Sequence, residues 1–303
     1  MFRWFGSSFA VLASALLAGA VSFAGAPTVA DPVPAAAVPA AALPSVNMEA
    51  VLKAAQIDPR RADNTLTPGA KASVLLVEQA LADRGMLADQ WIDGYFGTTT
   101  IAAYAGYQRS LGYTGIDASG LPGRTTLQSL GVERFTVTAV VLPGAHVSYR
   151  GYLMNSRTKA MLVKAEGMLG RSLALTQGSY NPGGDSSSAG THDGGGVLDI
   201  SVAGMSAATR VGVAKQLRVV GFAAWVRTPE QGDWGYHIHA AAISDPDLSA
   251  AAQHQTGDYY LGLNGLANRA ADDGPVVTPI VTWEEYQRAH PEASRYAHAE
   301  APK

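Results

Sequence analysis

The sequence predicts two modules: a small all-α domain of three helices, then an α+β domain with a mainly antiparallel sheet. Three observations carry this. Apolar residues recur at helical spacing between 48 and 131, where two glycine turns each lead into a helix. From 151 onward, strand-like runs are interleaved with two amphipathic helices. The length, 303 residues, is that of about two ordinary domains.

In chain order, residues 1–30 read as a signal peptide. Arg3 supplies a positive start, and Phe9 to Phe23 is an apolar run too short and too rich in Ala and Gly for a membrane span. Small-residue cleavage sites follow at Ala24-Gly25-Ala26 and Thr28-Val29-Ala30. An uncleaved anchor is the alternative. Residues 31–47 are an Ala/Pro-rich linker, expected to run extended as a semi-rigid spacer.

In 48–131, Val74, Val77 and Leu81 share a helix face and Gly85 stops it. The run Asp93-Gly94-Tyr95-Phe96-Gly97 precedes Thr100, and Gly120-Leu121-Pro122-Gly123 precedes Thr126 at the same Gly-to-Thr spacing. Each is a tight turn opening a helix, Thr98–Ser110 and Arg124–Leu130. Residues 132–150 form a connection with a β-branched strand, Val137 to Leu142.

The second module spans 151–268. Ser156–Leu169 is an amphipathic helix with a serine N-cap and Gly170 beyond its end. Strands are expected at Leu173–Gln177, Val197–Val202, Phe222–Arg227 and Gly235–Ile243, and a helix at Ser206–Val220 closed by Gly221. A polar, glycine-rich loop fills 178–196. The tail, 269–303, shows one strand-like run and then a polar, loose end.

Composition narrows the function. Hydrophobic residues make up 47% and charged residues 16%, with a formal net charge of -3, so no nucleic-acid partner is expected. There is no cysteine. Disulfides, thiolate metal sites, iron–sulfur clusters and a cysteine nucleophile are thereby excluded.

Two stretches carry chemistry. In Thr191-His192-Asp193-Gly194-Gly195-Gly196-Val197-Leu198-Asp199, a loop histidine precedes a strand carboxylate. Leu198 and Ile200 take one strand face, Asp199 the other. An acid between Leu and Ile needs a partner, and a metal is a good one. In His237-Ile238-His239, both imidazoles lie on one strand face with backbones roughly 7 Å apart. His192, Asp199 and His239 make a two-histidine, one-carboxylate set, the ligand type of a catalytic Zn2+ that keeps a position open for water. His237 is placed to orient water, move a proton or hold an oxyanion, and Asp233 is a second base candidate. No Gly-x-Gly-x-x-Gly opens a helix, and no Lys-Ser/Thr follows the glycines, so phosphate cradling is not expected.

On Leu81, the Asp93 to Thr100 run, Tyr107-Gln108 and Gly123/Thr126, the first module resembles the three-helix peptidoglycan-binding domain of wall hydrolases. The resemblance implies peptidoglycan as partner, with Asp93, Phe96, Tyr107 and Gln108 as contact residues. Glu78 stands where a Gln is usual, and Tyr107 where a Phe is. The run Ser188-x-x-x-His192-x-x-Gly195-Gly196-x-x-Asp199 with the later His-x-His resembles the zinc fold of D-Ala-D-Ala carboxypeptidases, lysostaphin-type endopeptidases and the hedgehog domain. It implies Zn2+ on His192, Asp199 and His239, catalysis by His237, and cleavage of wall peptides.

Two departures bear on this. The carboxypeptidase branch has a Glu three residues before its last zinc histidine, where Tyr236 stands here. It also has an Arg in a turn where this chain reads Thr176-Gln177-Gly178-Ser179-Tyr180-Asn181. The absence of that Arg argues against strict carboxypeptidase action and toward an internal cut, the choice between endopeptidase and carboxypeptidase staying open, with Tyr180 or Gln177 to stabilise the oxyanion. The sequence thus predicts a secreted, cell-wall-associated monomeric zinc peptidase with no stable membrane span after signal removal. A binding protein with a degenerate structural zinc site is the competing expectation, and a morphogen-like interaction module is a third.

Overall fold

A computed structural model describes residues 42–292. The signal segment, most of the linker and the end of the tail lie outside the described residues. Among the described residues no helix is long and apolar enough to cross a membrane.

The architecture is α+β. Strand β1 (Ser45–Asn47) leads directly into α1 (Met48–Ile57), whose first turn is capped by Asn47. Then come α2 (Lys71–Ala82), α3 (Thr98–Ser110) and α4 (Arg124–Leu130). The linker's end is therefore not spacer. β1 pairs in parallel with β2 (Thr136–Thr138), so 45–47 belong to the fold. The strand expected over 137–142 stops at Thr138, because its partner ends where α1 begins, and Ala139 turns away at φ 46°.

Next follow the hairpin β3 (His146–Tyr149) and β4 (Tyr152–Asn155), then α5 (Ser156–Leu169). The N-cap of α5 is Asn155, not the expected serine; Asn155 accepts from the Thr158 N–H. The main sheet contains β5 (Leu175–Gln177), β6 (Val197–Ser201), β7 (Phe222–Arg227) and β8 (His237–Ala242), ordered β5-β6-β8-β7 and antiparallel throughout. Helix α6 (Ala207–Val219), capped by Ser206, precedes β7. Helix α7 (Ala250–Tyr260) and α8 (Trp283–Ala289) are the last elements among the described residues.

Period-two alternation gives the sheet two unlike faces. Leu198, Ile200, Phe222, Ala224, Ile238 and Ala240 are buried against α5 and α6. On the opposite face Val197 and Ala241 join the core of the N-terminal helices, while the same strands end in Asp199, Ser201, His237 and His239. That face thus grades from apolar to polar along its strands. The polar end is where the site lies.

All described residues fall within one compact unit. Helices α1 and α7 lie against each other so closely that a Cβ on Gly257 would stand 2.1 Å from the Gln56 carbonyl oxygen. Gln56 Oε1 accepts from the Ser244 N–H and the Thr256 hydroxyl, and Arg60 grips Asp258 through two hydrogen bonds of 2.9 and 2.8 Å.

The tail departs from expectation. Thr282 and Glu285 form a capping box that starts α8, and Trp283 and Tyr286 are buried in the sheet's helical layer. Arg157 holds Glu284 at 2.7 Å, and Arg288 holds Glu49 at 2.7 Å. No strand forms between 272 and 282 among the described residues.

Candidate metal centre

Strand register assembles most of the site. Gln177 on β5, Asp199 on β6, His239 on β8 and Trp225 on β7 stand in one row across the sheet. Two residues along, Ser201, His237 and Arg227 form the next row on the same face. His192 arrives from the glycine-rich loop, which folds back on itself: the Asn181 N–H donates to the His192 carbonyl and the Tyr180 N–H to the Gly194 carbonyl. Side chains at 195 and 196 have no room. A Cβ at Gly195 would lie 2.6 Å from the Tyr180 hydroxyl, and Gly196 has a φ of +80°.

The three groups meet. His192 Nε2 lies 3.3 Å from Asp199 Oδ2, and His239 Nδ1 lies 2.9 Å from Asp199 Oδ1. Their ligand atoms are all within 4.8 Å of one another, and all three residues are buried. This His192, Asp199, His239 cluster can hold a metal ion.

Two details fit a cation. His192 donates its Nδ1–H to the Gly178 carbonyl at 2.8 Å, which leaves Nε2 as a buried lone-pair nitrogen without a hydrogen-bond partner. His239 faces an oxygen at each nitrogen, Asp199 Oδ1 at 2.9 Å and Gln255 Oε1 at 2.8 Å. A neutral imidazole has one N–H, so a cation on the Asp199 side accommodates both. Burial opposes ionisation of Asp199; an N–H turned toward it by His192 and by His239 would outweigh that and hold the carboxyl well below the usual range. Burial pushes His239 down despite Asp199, which favours the neutral, metal-binding ring.

The cluster lies in a cavity of about 760 Å³. His237 stands at its edge, with Nδ1–H on the Gly235 carbonyl at 2.8 Å and Nε2 3.8 Å from Asp199 Oδ1. Gln177 lines the cavity beside Asp199; its Oε1 accepts from Ser188 and its Nε2 has no partner. Asp233 is exposed on the rim.

Tyr180 is not in this cavity. With φ at 55° it turns the other way, stacks on His146 at 3.8 Å and donates to Asp247 at 2.6 Å in a second cavity. It therefore stabilises no oxyanion at the cluster. The peptidoglycan-contact set is also revised. Phe96 and Tyr107 are buried in the helical core, 0% and 1% exposed. Gln108 borders the second cavity, but its amide is committed to the Gly120 N–H and the Leu121 carbonyl. Only Asp93 is exposed, and its carboxylate accepts from the Tyr95 N–H. These positions build a turn and the helical core.

Three site residues lay beyond the sequence reading. Trp225 and Arg227 carried a faint signal, a Trp and a charge on either side of Val226 on a strand. Gln255 carried none, since only packing of α7 brings it to His239. No family model matches the chain, and neither does any curated protein or solved structure.

Proposed function

We propose that the chain is an exported cell-wall zinc metallopeptidase, with residues 48–131 as its peptidoglycan-binding part and 151–268 as its peptidase part. The convergence of His192, Asp199 and His239 in an open cavity, with His237 beside them, carries the reading. Two imidazoles and one carboxylate suit zinc and leave a position open.

Zinc bound there supplies Lewis acidity, which polarises a peptide carbonyl and acidifies water. The chain's own groups do the rest. With Nδ1–H held by Gly235, His237 turns a lone pair on Nε2 toward the cavity. It takes a proton from the attacking water and returns it to the amine that leaves as the C–N bond breaks. Gln177 Nε2 is a donor for the carbonyl oxygen as negative charge develops on it. Gln255 fixes the ring of His239 from behind.

The test is release of soluble peptides from isolated wall sacculi by the purified mature chain. Chelator stops release, zinc restores it, and His237→Ala abolishes it with zinc still bound. Stoichiometric zinc with no release from any wall preparation leaves the alternative, a binding protein whose zinc is structural.

A further inference from the structure

Three arginines are buried among the described residues, and two are neutralised within the fold. Arg157 holds Glu284 at 2.7 and 2.8 Å, and Arg218 holds Asp272 at 2.8 and 2.9 Å. Arg227, 2% exposed, is the exception. It donates Nη1 to the Asn264 carbonyl at 2.9 Å, while Nη2 has no partner.

The carboxylates whose charge reaches Arg227 are all committed elsewhere. Asp272 is taken by Arg218 and the Trp225 indole, Asp273 accepts from Gln231, and Asp199 lies between two imidazoles. The guanidinium lies over the Trp225 ring at 4.7 Å but has no carboxylate partner, and a buried charge without one is costly to keep. Arg227 lines the metal cavity, directly across the strand pair from His237. Two more enclosed donors without partners line the same cavity, Trp234 Nε1 and Gln177 Nε2. These donors lack acceptors although aspartates line the cavity elsewhere, and a planar guanidinium matches a carboxylate.

We propose that Arg227 is the specificity residue of the cavity, and that the substrate is a peptide presenting a free carboxylate on the β7 side of the metal cluster. This rests on the cavity being the substrate site of the reading above.

The test is binding to the zinc-loaded mature chain, read from tryptophan emission, since Trp225 and Trp234 flank the histidines at 6.5 and 6.2 Å. The probes are acetyl-Ala-Ala, its C-terminal amide, and acetyl-Ala-Glu-amide. The first presents a terminal carboxylate, the third a side-chain one. At least one acid binds about tenfold tighter than the plain amide, and Arg227→Gln removes the preference. Which acid wins identifies the carboxylate's source. Equal binding of all three probes overturns the proposal, as does an acid preference that survives Arg227→Gln. If that variant fails to fold, Arg227→Lys decides: loss of about threefold or more of the preference supports the proposal, and an undiminished preference overturns it. Acid preference without wall release sinks the peptidase and keeps this inference, and release without acid preference does the reverse.

Discussion

Two buried carboxylates, one in each half of the molecule, have opposite electrostatic fates. Glu78, in the N-terminal helices, is fully enclosed and accepts from the Asp93 and Gly94 N–H groups and from the Thr100 hydroxyl. Burial raises its pKa to about 7, helped by the charge of Asp93, and those hydrogen bonds only partly offset the rise. Asp199, on the sheet, is nearly as buried, yet its pKa is lowered, because imidazoles able to carry an N–H and a positive charge face it in place of backbone amides. Neutral donors make Glu78 a structural acid that ties down a turn. Partners that can exchange a proton for a cation make Asp199 a candidate ligand.

The sharpest way to break the comparison is to remove each charge in turn. Asp199→Asn should lower divalent-ion affinity by more than about a hundredfold, read by competition with a chromophoric chelator. Glu78→Gln should leave that affinity unchanged. A similar loss in both variants would mean that the ion holds the whole fold together.

The second prediction concerns pH. The fold prefers protonated Glu78, so its contribution is complete below the ordinary 4.5 and is lost as pH rises through about 7. The loss is on the order of 3 kcal/mol. Asp199 acts in the opposite sense, stabilising above its ordinary 3.8 and losing that contribution as pH falls. In Glu78→Gln the amide oxygen can accept both backbone N–H groups while its nitrogen donates to Thr100. Thermal unfolding of wild type and Glu78→Gln should therefore diverge between pH 4.5 and 7, the variant holding its stability as the wild type declines.

The third prediction tests whether the halves are joined. Gly257→Ala drives a methyl into the Gln56 backbone and should cost about 1–3 kcal/mol in denaturant unfolding. Because α7 also carries Gln255, ion affinity should fall with stability. Unchanged affinity would show that the N-terminal helices do not brace the site. The smallest effect is expected from Arg60→Ala. Asp258 keeps Arg269 at 3.1 Å, so the loss should be about 1 kcal/mol or less.

The local pieces were legible in the sequence. Thr98–Ser110 and Ser156–Leu169 follow from periodicity and glycine stops, and the metal cluster from a loop histidine, an acid between apolar neighbours and an alternating His-x-His. What was not legible depends on contacts distant in sequence. Ser45–Asn47 becomes a strand only because Thr136–Thr138 lies beside it. Tyr180 is turned out of the site by its backbone, and Gln255 reaches His239 only through the docking of α7. The tail helix was readable in principle, since Thr282-x-x-Glu285 is a capping box before aromatic residues that need burial.

Zinc K-edge X-ray absorption of the zinc-loaded protein reads the proposed ligand set itself. One tightly bound zinc with two imidazole nitrogens and two oxygens at about 2.0–2.1 Å is expected, reduced to one imidazole in His192→Ala or His239→Ala and unchanged in His237→Ala. A shell without imidazole, or one that loses an imidazole in His237→Ala, would contradict it.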